Sequence, residues 1–128
     1  MKRPPDAWHQ WKQFADDDLA TAELLLREGG NPAHVAFHAQ QCVEKIMKAV
    51  IAAKDADTPR SHDLTRLLRL ALGKCEDSAV LVHDMGWLSQ FAVDARYPGP
   101  APVTTEADAQ RALAIARDAL TMCSEYLE

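Results

Sequence analysis

Four groups of side chains in this 128-residue sequence have the types and spacings from which chemistry is built. His34 and His38 stand four apart, the interval at which two imidazoles on one helix face can share a zinc ion. The glutamate that a zinc protease carries between such histidines is missing, and further ligands would have to come from His62 or His83. A polar histidine edge is the simpler reading, and no metal site is assigned. Gln40, Gln41, Glu44 and Lys45 form a donor and acceptor set that suits a nucleotide base or a partner, and equally suits pairing between helices or across a dimer. Arg60, His62 and Asp63 flank a helix start, where Ser61 is a candidate cap and Asp63 gains from the helix dipole. Arg60 at the same place can help exposed amides hold a phosphate. Arg96 and Tyr97 precede a proline-rich loop. Arg96 can reach a carboxylate such as Asp94 or Asp63 while Tyr97 covers the end of the fold, or the two together can hold a nucleotide.

Other chemistries find no support. There is no glycine-rich phosphate loop, no nucleophilic serine set and no Cys-x-x-Cys. Cys42, Cys75 and Cys123 are odd in number and widely spaced, which predicts buried free thiols and neither a disulfide nor a zinc cluster. Asp16, Asp17 and Asp18 occupy successive angles around a helix and cannot converge on one metal, so they are expected to face solvent or pair with amides.

These side chains need elements to hold them, and the central one is the stretch Pro32 to Lys54. Asn31 and Pro32 supply a cap and a first-turn proline, and at about 1.5 Å per residue the run makes a rod of roughly 33 Å. Ala36, Ala39, Cys42 and Ala49 lie among Val35, Val43, Ile46, Met47 and Val50, so apolar positions wrap more than one face. That is the pattern of a helix touched on several sides, and its remaining strip carries His34, His38, Gln41, Lys45 and Lys48. Before it, a helix from about Ala7 to Glu28 carries the stripe Trp8, Trp11, Ala15, Leu19, Ala22 and Leu26, and Gly29-Gly30 end it. The link to Asn31 is short enough to make the two helices antiparallel neighbours. After a polar loop broken by Pro59, a short helix carries Leu64, Leu67, Leu68, Ala71 and Leu72, and Gly73 closes it. A fourth, starting near Asp77 and Ser78, presents Leu81, Met85, Leu88 and Ala92, with Trp87 and Phe91 beside them, and stops before Arg96, where the prolines Pro98, Pro100 and Pro102 follow. Thr104 or Thr105 caps the last, whose stripe is Ala109, Ala112, Ala116, Leu120, Cys123 and Leu127. No stretch alternates with a period of two. The expected fold is all-α, an up-and-down antiparallel bundle of four long helices plus one short helix, in a single domain over residues 1–128.

Composition agrees, with 48% hydrophobic and 26% charged residues. No apolar run approaches the roughly 18 to 20 residues of a membrane span and Met1 to Asp6 is no signal peptide, so a soluble, cytoplasmic protein is expected. A net charge of -5 argues against an extended nucleic-acid surface, because that affinity rests on displaced counterions. The charge is uneven: residues 1–43 carry a net -2, 44–75 carry +3 and 76–128 carry -6. The basic middle segment suits either a solvated helix face or a phosphate.

Several of these residues in order carry a resemblance. Asp18-Leu19 with Ala22, then Phe37 with Gln40-Gln41 and Glu44-Lys45, then His62-Asp63-Leu64, then Ala95-Arg96-Tyr97-Pro98 span almost the whole chain and resemble the HEPN domain (higher eukaryotes and prokaryotes nucleotide-binding). The resemblance implies an up-and-down helical bundle akin to the substrate-binding domain of kanamycin nucleotidyltransferase, usually a homodimer. It also implies a partner, since many stand-alone bacterial members are encoded beside a minimal nucleotidyltransferase and such pairs commonly behave as toxin and antitoxin.

In active members, the resemblance implies, the toxin is a metal-independent ribonuclease that uses an arginine and a histidine with four to six residues between them. A histidine can move the 2'-hydroxyl or leaving-group proton while a guanidinium holds the phosphate. Arg27 and His34 have that count, but Gly29, Gly30 and Pro32 intervene; Arg60 and His62 are two apart; Arg96 has no histidine after it. The motif is absent where the resemblance would place it, and no catalytic residue and no cofactor is assigned. Two readings follow. One is a non-catalytic binding module that partners a minimal nucleotidyltransferase, or presents a substrate or nucleotide to it, through Arg60, His62, Asp63, Arg96, Tyr97 and Lys45. The other is a ribonuclease toxin with a divergent active site.

Overall fold

The computed structural model describes residues 7–73, 79–92 and 103–127, with the side chains of residues 79 and 80 outside the description. Among these residues five helices follow in order: α1 Ala7–Arg27, α2 Pro32–Ala53, α3 Leu64–Leu72, α4 Ala79–Leu88 and α5 Glu106–Ser124, with a 3-10 turn, Ser89–Phe91, after α4. The architecture is all-α, as the periodicities require, and no strand occurs among the described residues.

The turn from α1 into α2 follows from its residues. Gly29 takes a φ of +73°, and the Gly30 amide donates to Leu25 O at 2.7 Å while the Gly29 amide donates to Leu26 O at 3.2 Å. This left-handed exit satisfies two end carbonyls of α1 and reverses the chain within a few residues. Asn31 then caps α2, its side chain accepting from the Ala33 amide at 2.9 Å, with Pro32 pre-set for the first turn. The two long helices therefore run antiparallel and pack along their length.

Helix α2 is the axis of the molecule. It touches α1, α3, α5 and the 3-10 turn, and thirteen of its 22 residues are buried. Ala36, Ala39, Cys42 and Ala49 are fully covered, so neighbouring backbones approach closely, while Ile46, Met47 and Ile51 fill the space between them. The matching seam on α5 is again small, with Ala109, Ala112, Ala116 and Ala119 buried. Thr105 starts α5 with a reciprocal capping box: its hydroxyl accepts from the Asp108 amide at 3.1 Å and its own amide donates to Asp108 at 3.0 Å.

Helix α4 is shorter than its apolar pattern predicts. It ends at Leu88 and tightens into the 3-10 turn, so three helices are long and two, α3 and α4, are short. The cause is local. The Ser89 hydroxyl donates back to Met85 O at 2.9 Å and accepts from the Leu64 amide at 3.0 Å, tying the end of α4 to the start of α3. At the far end of α3, Gly73 takes a φ of +72°, and the Lys54 ammonium donates to Ala71 O across from the end of α2.

Candidate functional site

The polar strip of α2 meets α1 on one side and the loop into α3 on the other. On the α1 side, Asp18 is almost fully buried and accepts from two α2 residues, Lys45 at 2.6 Å and His38 Nδ1 at 3.0 Å. On the α3 side, Glu44 is buried between Lys48 at 3.1 Å and His62 Nδ1 at 2.6 Å. Each carboxylate thus holds one lysine and one imidazole. Burial would strongly disfavour either carboxylate alone, and the paired ammonium is what permits it there.

The rest of the strip fixes these groups in place. Gln40 is buried, accepts from Gln41 at 2.8 Å and donates to the His62 carbonyl at 3.3 Å, so both the backbone and the ring of His62 are anchored to α2. The Lys45 ammonium lies 5.9 Å from the ring centre of Phe14, and Lys48 lies 5.4 Å from that of Trp11. Trp11 and Phe14 meet edge to face, and Phe14 stays 49% exposed. The result is a ledge with an exposed aromatic, two held histidines and two compensated lysines. Because an ionised carboxylate only accepts, both Nδ1 atoms carry the proton; in the neutral imidazole each Nε2 is then the free basic nitrogen. The His62 side chain is 66% exposed, which gives it access to solvent.

The structure sorts the residues singled out from the sequence. Lys45 and His62 each pair with a buried carboxylate along α2, Lys45 with Asp18 on the α1 side and His62 with Glu44 on the α3 side. Asp63 is the N-cap of α3: its side chain accepts from the Thr65 amide at 3.1 Å and the Arg66 amide at 3.3 Å. Ser61, the cap candidate, instead accepts from the Asp63 amide at 3.1 Å. With the Leu64 amide taken by Ser89, the first amides of α3 all have partners and offer no open cradle beside Arg60. Arg60 is exposed. Arg96 and Tyr97 lie outside the described residues, as does Cys75. Arg27 and His34 sit on either side of the α1–α2 turn. His38 is engaged with Asp18, and among the described residues no group of three or more His, Cys, Asp or Glu side chains is arranged to hold a metal.

Asp18 corrects the expectation that the three aspartates face solvent or pair with amides. Asp16 pairs with Lys12 at 2.9 Å and Asp17 accepts from Gln13 at 3.0 Å, both one turn back on α1. Asp18 alone of the three turns inward. The signal was present in the spacing, because Trp11, Ala15, Asp18 and Ala22 fall on one helical face and two of them line the core. Cys42 and Cys123 are buried, as their context predicts. Burial, followed by the nearby Asp18 and Asp16 charges, pushes the Cys42 thiol up to about 12.

No described helix is long and apolar enough to cross a membrane. A family model described as HEPN domain matches residues 8–126. A protein of Methanocaldococcus jannaschii named "Putative toxin MJ1304" is 30% identical over 129 residues, spanning 89% of this chain and 84% of that protein. The crystal structure of TT1696 from Thermus thermophilus superposes with a TM-score of 0.80 at 27% identity, over 95% of this chain and 99% of its own. The crystal structure of ST0689, an archaeal HEPN homologue, shares the fold with a TM-score of 0.75 at 24% identity over the full length of both chains.

Proposed function

This chain belongs to the HEPN domain family, and from that premise we propose that it is the binding subunit of a toxin-antitoxin pair, a homodimeric helical module that engages a small nucleotidyltransferase. The observation that carries this reading is the double pairing on α2. Lys45 and Lys48 are bound by Asp18 and Glu44 of the same chain, and so are the Nδ1 atoms of His38 and His62. A site built to hold phosphate through chemistry keeps its cations uncompensated and converging. A ledge whose lysines are already matched, with Phe14 exposed beside them, has the make-up of a recognition face. Arg60, His62, Lys45 and, beyond the described residues, Arg96 and Tyr97 are its proposed contacts, with a nucleotide as the small ligand it presents.

The test is a neighbouring reading frame for a small nucleotidyltransferase and co-expression of its product with this chain. The two chains are expected to co-elute through affinity and size-exclusion steps, and expression of this chain alone is expected to leave growth and cellular RNA intact. One observation favours a second reading, a ribonuclease with a divergent active site: His62 is exposed and its ring is oriented by a buried glutamate, the arrangement of a general base. Growth arrest with RNA cleavage, relieved by His62→Ala, would replace the first reading with the second.

A further inference from the structure

The outer face of α3 carries arginines that form no ion pair among the described residues. Arg66, Arg69 and Leu70 stand at helical intervals of three and four and so share one side, while Leu64, Leu67, Leu68 and Ala71 on the other side are buried. Arg60 and His62 lead into the same helix. Arg60, Arg66 and Arg69 are all exposed, and none makes an ion pair among the described residues. By contrast Arg111 and Arg117 on α5 each meet a carboxylate, Asp84 and Glu23. Leu70 is 48% exposed beside the arginines.

We propose that this face of α3 is a docking surface for an acidic protein segment. The proposal rests on the reading of the chain as a binding subunit and adds the surface and the chemistry of the partner. Three exposed guanidinium groups with no ion pair among the described residues suit discrete carboxylates, which they bind in bidentate fashion, and arginine beside an exposed apolar side chain is in keeping with the composition of protein interfaces. A nucleic-acid strand fits less well. The capping carboxylate of Asp63 is exposed and lies between Arg60 and Arg66 in sequence, and the whole chain carries -5. A continuous polyanion meets all of that repulsion, whereas a short acidic segment meets mainly the arginines within a Debye length.

The probe is a fluorescein-labelled acidic peptide of glutamate and leucine, titrated with the full chain at low salt and followed by anisotropy, with single-stranded RNA of matched length in parallel. The expected result is peptide binding that weakens with added salt, and an affinity at least about tenfold lower in the R60E/R66E/R69E variant. RNA is expected to bind more weakly than the peptide. Circular dichroism of the variant checks that its helices are intact, and Leu70→Ser, which leaves every charge in place, is expected to weaken the peptide as well. Absence of peptide binding, binding unchanged in the triple variant, or tighter binding of RNA would overturn the proposal. Co-elution of the nucleotidyltransferase is read separately, so failure of the surface and failure of the subunit reading are distinguishable.

Discussion

Glu44 Oε1 accepts from His62 Nδ1 at 2.6 Å across the loop between α2 and α3, joining a side chain that is 5% exposed to one that is 66% exposed. The asymmetry divides the pair's roles. Glu44 belongs to the core and must be compensated, while His62 is positioned by the core and lies at the surface.

Removing either partner should therefore have unequal effects. Glu44→Ala leaves the Lys48 ammonium, itself 8% exposed, with no counter-charge, and is expected to cost about 3 to 5 kcal/mol. His62→Ala removes a hydrogen bond from a side chain that is 66% exposed and leaves Glu44 its Lys48 partner, and is expected to cost about 1 kcal/mol or less. Urea unfolding of the two variants measures the difference directly. Equal losses would mean that His62 supports the fold as much as Glu44 does.

Asp18→Asn keeps the shape of the α1 side of the ledge and deletes its charge. Lys45 is 25% exposed and has a route to water that Lys48 lacks, so the expected loss is smaller, about 1 to 3 kcal/mol. Asp17→Asn, on the exposed side of the same turn, is expected to change stability by less than about 0.5 kcal/mol. If both variants behaved alike in the same unfolding experiment, the inward position of Asp18 would carry no energetic weight.

Those two aspartates also show where sequence reading reaches and where it stops. Helix α2 was legible end to end, because a cap, a proline and a many-sided apolar pattern all agree over 22 residues. Asp18 was obscured by its two neighbours, since a run of like charges suggests a solvated face unless each position is placed against the apolar stripe. The meeting of Glu44 with His62 had no periodic signature, because the path of the polar loop between α2 and α3 is set by tertiary contacts such as Gln40 to the His62 carbonyl. The early end of α4 was hidden for a similar reason: one serine hydroxyl, shared with the first turn of α3, decides it.

The raised Cys42 thiol gives a stability profile with a definite sign. Its folded value is about 12 and its unfolded value 9.0, so the folded state holds the proton more tightly. That stabilisation is fully present below pH 9.0 and is lost as pH rises from there toward 12, with a slope of up to about 1.4 kcal/mol per pH unit. Unfolding measured in steps from pH 8 upward should be steeper in wild type than in Cys42→Ala, after correction for the variant's lower starting stability. At pH 8 iodoacetamide should leave Cys42 unmodified in the folded chain and alkylate it in denaturant, as peptide mass spectrometry would show.

Asp63 separates a cap from a ligand contact. Its carboxylate accepts from two first-turn amides of α3, and asparagine offers an acceptor of the same reach, so Asp63→Asn is expected to stay within about 0.5 kcal/mol of wild type. Asp63→Ala leaves both amides without that partner and is expected to lose about 1 kcal/mol, with the first turn of α3 losing hydrogen-exchange protection before the rest of the helix. A capping role also predicts that partner co-elution survives in Asp63→Asn. If the asparagine variant were stable yet lost the partner, the carboxylate charge itself would be a contact, and the arginines of α3 would then have to share their surface with an acidic residue that binds a base.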